Sequence, residues 1–515
     1  MSPVLQAAID PLPGLLASHV LVSAAALALA LAVSLPLAFL AAHRPTLRRI
    51  ALGFAGLVQT IPGLALLALF YPLLLALSAL VGGGIPALGF LPSLLALSLY
   101  AVLPILRNAV TGLTGIDHAV IEAADGVGMT RRQRLRLVEL PLAAPVLMAG
   151  IRTAAVWTIG AATLATTVGQ PSLGNLIFAG LQTENWVLVL VGCIGAAALA
   201  LIADGLLGLI ESGLGARRPM RIWTGAALLM LAIGAALVPA FAPTKPVVTI
   251  GAKNFSEQYI LARLIGARLE RAGYAVRYKE GLGSAVAFTA LSGGDVDVYV
   301  DYAGTLWANQ MGRRDVIPRP AMIGAIGRWM AAGPKTGLVG PLGFENAYAL
   351  AMRGADARRL GIATIADLAR EAPKLQLASD LEFLDRPEWV AIRDAYGLRF
   401  AGMRSYAPSF MYRALTGGQA DVISAFSSDG RIAADGLAVL ADPKGAAPGY
   451  DALLLVSPLR AGDGRFLAAL RPLVGAIPVD RMRAANYMVD RDSGKATPEE
   501  AARWLAAGLG DRGSH

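Results

Sequence analysis

Val120–Met148 reads VIEAADGVGMTRRQRLRLVELPLAAPVLM, and it lies between long apolar runs. The segment opens on Glu122, Ala123 and Ala124 and places Gly128 four residues after Ala124. It carries Arg131, Arg132, Arg134 and Arg136 and closes on Leu140 and Pro141. It is too charged to cross a membrane. It therefore marks one aqueous side of a chain whose flanks belong in lipid. Of 515 residues, 56% are hydrophobic and 16% charged, whereas soluble domains average about 25% charged. The net charge of +9 is expected in cytoplasmic loops rather than on a nucleic-acid surface, because no aromatic-rich basic patch accompanies it.

The candidate spans are about 16–42, 50–82, 89–113, 144–168, 187–213 and 222–242, each near or above the roughly 20 residues a crossing needs. The second run contains Pro62-Gly63 and Pro72. It reads either as one broken span or as a short helix followed by a span. Basic loops stay inside. His43, Arg44, Arg48 and Arg49 follow the first span, the arginine cluster follows the third, and Arg217, Arg218 and Arg221 precede the last. The loops Gly82–Leu88 and Gly169–Glu184 hold no base. The chain is expected to start outside, to cross six times, and to deliver everything after Pro243 outside. The N-terminus has no basic residue before its first apolar run and is expected to stay as an anchor.

Composition changes near Ala242–Lys245. From Val247 onward short strands alternate with amphipathic helices. VVTIGA, YAVRYKE and VDVYVDY read as strands. Ser256–Arg271 places Leu261, Leu264, Ile265 and Leu269 on one helical face. A second β/α series runs from Ala347 through Phe426, and LLLVSP after Tyr450 leads into helices near 464–476, 479–490 and 498–508. Two α/β lobes with mainly parallel sheets follow, with hinge strands near 339–345 and 435–455. The expected domains are 1–221 (membrane), 222–245 (last span and linker) and 246–515 (outside).

With these segments in view, the chain resembles a known family along nearly its whole length. Val120–Pro141 resembles the loop by which ABC-importer permeases dock on a cytoplasmic ATPase. Val58–Leu69, VQTIPGLALLAL, resembles an early-span motif of osmoprotectant permeases. GAKNFSEQYIL, GDVDVYVDYAGT, GFENAYAL and SSDGRI resemble, in order, segments of the glycine betaine/choline/carnitine binding proteins. The resemblance implies an all-α permease fused to a two-lobed periplasmic-binding-protein fold. It further implies a separate ATPase docked on Glu122, Ala123, Ala124, Gly128, Leu140 and Pro141, a homodimer of permease domains in a bacterial inner membrane, and a small quaternary-ammonium ligand.

A quaternary ammonium has no N–H to donate and keeps its charge at every pH. Aromatic faces hold such a cation, each contact contributing about 0.5–2 kcal/mol. By resemblance the cage falls on Tyr302, Tyr348, Phe426 and Tyr450, with Gln258 and Thr305 as polar neighbours. Phe426 stands where the family usually has tyrosine. Tyr302 and Phe426 also end strands, where open α/β sheets place ligands. Tyr299, Tyr259 and Trp307 read as packing. Asp429 reads as a helix cap. Asp204 and Glu211 read as acids facing a pore or water, and Arg152 as a snorkelling side chain. A permanent ligand charge predicts an affinity that is flat between about pH 6 and 8.

No Walker GxxxxGK[ST] pattern occurs, so ATP hydrolysis falls to the partner. The single cysteine, Cys193, and the four dispersed histidines predict neither disulfide nor metal site, and no cofactor is expected. Two rival readings stand beside the osmolyte importer. One is an importer of ergothioneine, a trimethylammonium betaine whose carboxylate would need Arg386 or Arg404. The other is a membrane-anchored sensor, which the Val120–Pro141 loop argues against. An enzyme comes third, because no nucleophile, base or metal set assembles.

Overall fold

The computed structural model describes residues 3–509 apart from 83, 184, 239–246, 314, 316, 381, 407, 447–448 and 492. The composition break at 242–245, Pro448 and His515 thus lie outside the described residues. Six helices among the described residues are long and apolar enough to cross a membrane: Leu12–Ala42, Gly63–Leu80, Phe90–Thr114, Arg131–Val168, Trp186–Gly215 and Pro219–Leu237. Helices satisfy every backbone polar group internally, as lipid demands. The long 50–82 run is two elements, a helix Pro45–Thr60 and then the span Gly63–Leu80. Pro62 forces the break: Ile61 before it is extended, with φ −74° and ψ 126°. The first piece buries only Ala51, Ala55 and Val58.

Small residues let the spans approach closely, as is common in membrane bundles. Ala26, Ala30, Ala38 and Ala41 are the buried side of the first span. Three ionisable groups also meet between two of these helices, each partly exposed. Arg152 reaches both oxygens of Asp204, at 2.8 and 2.7 Å, and Glu211 at 2.7 Å. This corrects the expectation that Arg152 snorkels. A charge in the spans is retained by pairing, and Arg152 cross-braces Arg131–Val168 to Trp186–Gly215.

The second unit is two five-stranded sheets flanked by helices. Its strands are β1 (Val247–Lys253), β2 (Ala275–Leu282), β3 (Val298–Tyr302), β4 (Gly337–Glu345), β5 (Tyr348–Arg353), β6 (Gln376–Ser379), β7 (Gly402–Ser405), β8 (Val422–Phe426), β9 (Leu437–Val439) and β10 (Asp451–Val456). The first sheet has the order β2-β1-β3-β10-β4 and the second β7-β6-β8-β5-β9. β1 lies parallel to β2 and β3, and β6 parallel to β7 and β8. β10 runs against both its neighbours, and so does β5. The chain crosses from lobe to lobe between β4 and β5, just after the expected hinge 339–345, and returns between β9 and β10, within the expected 435–455. The buried runs Val298–Tyr302 and Asp451–Val456 form the floor of the first lobe.

Candidate functional site

Two antiparallel strand pairs bring the aromatic residues together. Ala452 of β10 pairs with Tyr302 at the end of β3, and the same register continued sets Tyr450 opposite Gly304. A Cβ on Gly304 would lie 2.4 Å from the Tyr450 ring, so only glycine leaves that ring its place. In the second lobe Tyr348 pairs directly with Phe426. The crossover joins the two pairs: the Asn346 N–H donates to the Tyr450 carbonyl at 2.9 Å. Tyr348 then stands 4.9 Å from Phe426 and 5.9 Å from Tyr450, nearly perpendicular to the latter. A fifth ring completes the wall. Phe255 lies 6.1 Å from Tyr302 and 6.5 Å from Phe426, within 2° of parallel to Phe426. The five rings border a cavity of about 150 Å³, together with Lys253, Thr305, Asn346, Asp380, Glu382 and Arg386. A cavity of about that size holds a benzene molecule.

The hydroxyls of Tyr302 and Tyr450 are turned into protein carboxylates. The Tyr302 hydroxyl donates to Glu257 at 2.6 Å and accepts from Gln258 at 3.0 Å. The Tyr450 hydroxyl donates to the buried Glu388. Burial, and then these carboxylates, raise both phenols well above their usual range. Both rings are thereby fixed in neutral form with their faces available to a cation. Gln258 is 1% exposed, and its amide is committed to Val300, Tyr302 and the Lys253 N–H. It braces Tyr302 from behind and does not border the cavity. Thr305 does, and accepts from Arg386 at 3.2 Å.

Arg386 is buried between Glu382 at 2.9 Å and Glu388 at 3.3 Å and borders the cavity. Arg404 is exposed on the edge strand β7. Of the two arginines suggested for a carboxylate, only the first is positioned to meet one. Asp380 lies on the same wall, and burial raises its carboxyl. Phe255 went unread in the sequence although it lies inside the quoted GAKNFSEQYIL. Its signal is positional: an extended residue immediately before the helix Ser256–Arg271, at the end of β1.

The lobes meet along a seam beside the cavity. The helix Val479–Asp490, packed on Ser256–Arg271 and Pro498–Gly508 of the first lobe, faces the turn Ser427–Arg431 of the second. Arg483 donates to the Ser427 carbonyl at 2.8 Å, Asn486 to the Ser428 carbonyl at 2.9 Å, and Arg431 to the Asp490 carbonyl at 2.6 Å. Asp429 accepts from the Arg431 N–H at 2.9 Å, the capping role expected of it.

On the membrane unit, Glu122, Ala123 and Ala124 belong to a helix His118–Gly126 that Asp117 caps. Ala124 is buried, while Glu122 and Ala123 are exposed. Gly128 has φ +78°, a left-handed conformation that favours glycine, and turns the chain. Thr130 and Gln133 then form a capping box. Arg134 pairs with Asp125 and with Glu139, each at 2.7 Å, tying the two arms of the turn together. Leu140 and Pro141 do not end the loop. They lie within the continuous helix that starts at Arg131, just after a wider π-turn at Leu135–Glu139, and the loop ends at Gly128–Thr130.

Residues 246–507 match the substrate-binding domain of ABC-type glycine betaine transport systems. Residues 34–216 match the inner-membrane component of binding-protein-dependent transport systems. The chain belongs to the ABC importers. It is a permease fused to its own substrate-binding domain. This importer subunit is similar to an ergothioneine transport permease/ergothioneine binding protein of Helicobacter pylori, 28% identical over 460 residues, which cover 86% of this chain and 81% of the relative. It is also similar to a choline transport system permease of Bacillus subtilis, 39% identical over 193 residues, or 38% of this chain and 83% of the relative. A crystal structure of a glycine betaine/carnitine/choline ABC transporter matches 52% of this chain and 98% of its own, at 25% identity and a TM-score of 0.45.

The importer's seam predicts a pH response if it opens on ligand release. Burial, and then the Asp429 carboxylate across the seam, push Asp490 up to about 7, against the Ser256 hydroxyl and the charges of Arg431 and Lys495. Opening the lobes would rehydrate Asp490 and part it from Asp429, returning it toward the ordinary range near 4. The closed form therefore holds the extra proton. Its stabilisation is complete below about pH 4 and is lost as pH rises through about 7. Ligand affinity should fall between pH 6 and 7, by less than about tenfold, and level off above. Asp490→Asn should remove the slope. A flat wild-type titration by calorimetry would show that the seam does not open on ligand release.

Proposed function

We propose that this chain imports small quaternary-ammonium betaines, with the cation caged by Tyr302, Tyr348, Phe426, Tyr450 and Phe255. The cage carries the reading: five rings, two of them anchored by buried carboxylates, border one cavity. Gln258 supports the cage through Tyr302, and Thr305 through Arg386. Arg386, and the charge-permanent cation beside it, favour a solute with a carboxylate over one without. A second reading, ergothioneine, draws support from the relative whose single chain spans both halves. Calorimetry of the purified full chain should give binding of a trimethylammonium ligand and a far weaker response to its neutral carbon isostere. Equal affinities would sink the cation–π mechanism.

A separate ATPase powers transport by docking on Glu122, Ala123, Ala124 and Gly128, with Leu140 and Pro141 near the start of the next helix. Exposed Val127 and Leu137 add apolar area to this face. Two copies of the permease form the pathway, since each chain supplies six crossings. Residues 1–221 form the permease, 222–245 the last span and linker, and 246–515 the receptor on the outer side of a bacterial inner membrane. Tags inserted after Gly82 or at the C-terminus should be labelled from outside intact cells. A tag replacing Ala216 should not, and the reverse pattern would place the receptor in the cytoplasm.

A further inference from the structure

The first, fourth, fifth and sixth spans wall an apolar slot of about 250 Å³. Along the first span it runs from Val20 to Leu31, about 16 Å at about 1.5 Å per residue. The last two spans close on each other near the turn that joins them. A Cβ on Gly213 would lie 2.7 Å from Ile222, and one on Gly225 2.8 Å from Ile210. Beyond that contact Leu229 and Ile233 of the sixth span face the slot. One hydroxyl interrupts the apolar lining. Ser23 borders the slot and is 6% exposed, and its Oγ is buried with no hydrogen-bond partner among the described residues. A serine in a helix commonly donates back to the carbonyl one turn earlier, as Ser93 does to Gly89 at 2.8 Å. Ser23 does not, and a buried donor left unmatched is costly and points to an acceptor. Water does not suit the slot, because an ordered water needs two to four polar partners. The slot is not sealed: Ala28, Ile202 and Ala232 on its walls are exposed. It opens on the surface of the spans, where the medium is hydrocarbon.

We infer that the slot binds one acyl chain of a glycerophospholipid, whose ester carbonyl accepts from the Ser23 hydroxyl. The dimensions agree. A methylene is close to water in size, so at about 30 Å³ each the slot takes about eight methylenes. Ser23 stands one turn from the Val20 end, and about 12 Å of slot remains between it and Leu31. The chain therefore runs from the ester toward the middle of the bilayer, as the chains of the leaflet on the Val20 side do. In the topology proposed above that is the outer leaflet. Lipid tails are as apolar as the slot, so the preference for this place comes from packing and the hydrogen bond rather than from the hydrophobic effect. The bound chain fills the space between the first span and the sixth, the span that leads into the receptor.

The test is photo-crosslinking of the purified full chain in nanodiscs of an ether-linked phosphatidylcholine. Two trace probes carry the same photoreactive acyl chain, one joined through an ester and one through an ether, which lacks the carbonyl. Crosslinks from the ester probe should concentrate on Leu27–Leu31 and Leu229–Ile233 rather than on the exposed Leu69 and Leu73 of the second span. The ester probe should label the slot about threefold to tenfold more than the ether probe, the effect of one hydrogen bond. Ser23→Ala should remove that difference, and Ala232→Trp, which fills the slot, should abolish labelling there with either probe. The comparison of the two probes needs only the unaltered chain, so it stands if a variant fails to fold. Labelling spread evenly over the exposed apolar residues of the spans would overturn the site. Equal labelling of the slot by both probes would overturn the ester contact and with it the class of ligand.

Discussion

Glu122→Lys should abolish solute uptake while leaving ligand affinity unchanged. Glu122 is solvent-exposed, with only the exposed His118 beside it at 3.0 Å, so reversing its charge disturbs no core contact and acts on whatever docks there. Gly128→Trp should have the same phenotype for two reasons. Its left-handed φ of +78° strains any residue with a Cβ, by about 1–2 kcal/mol. The indole would also stand in open space beside Val127, on the face assigned to the ATPase. The measurement is paired: uptake into vesicles containing the ATPase, and calorimetry on the same purified chain. Uptake at wild-type rates with both variants would remove Glu122–Gly128 as the dock. Loss of binding along with uptake would mean the substitutions unfold the chain.

Tyr302→Ala should weaken ligand binding by more than about a hundredfold. The ring's cation–π contact and its packing each contribute on the order of 1–2 kcal/mol. Glu257 then loses its 2.6 Å phenol donor, and a buried carboxylate short of a donor costs about 1–3 kcal/mol more. The same contact revises what ring chemistry alone suggests for Tyr302→Phe. The ring face remains, but Glu257 and Gln258 both lose a partner, so the variant should fall well short of wild type. Phe426→Tyr should be tolerated far better, because Phe426 is only partly buried and borders open cavity. If Tyr302→Phe binds as tightly as wild type, Glu257 is not what holds the ring in place.

The fold was legible wherever the information was local. Hydropathy and loop charge located the spans, and period-two and helical patterns located the strands and helices of both lobes. Four of the five rings that border the cavity were legible because aromatic side chains at strand ends are few, and family resemblance selected among them. What escaped depends on pairs distant in sequence. Arg152 meets Asp204 and Glu211 across 52 and 59 residues, and no periodicity announces that meeting. Glu257 reaches Asn486 across 229 residues. Gln258 matched a polar site position, yet the helix turn that carries it directs its amide inward to Tyr302. The 50–82 run stayed ambiguous because Pro62 breaks a span and separates two helices by the same means.

The seam between the lobes has an evolutionary corollary. Arg483, Asn486 and Arg431 all donate to main-chain carbonyls, those of Ser427, Ser428 and Asp490. A carbonyl survives any substitution of its own residue, so the receiving positions can drift without loosening the grip. They cannot tolerate a change in spacing, because one inserted residue would carry every carbonyl past its donor. Related receptors should therefore vary in letters at the three receiving positions while keeping the donors Arg431, Arg483 and Asn486 and the spacing between them fixed.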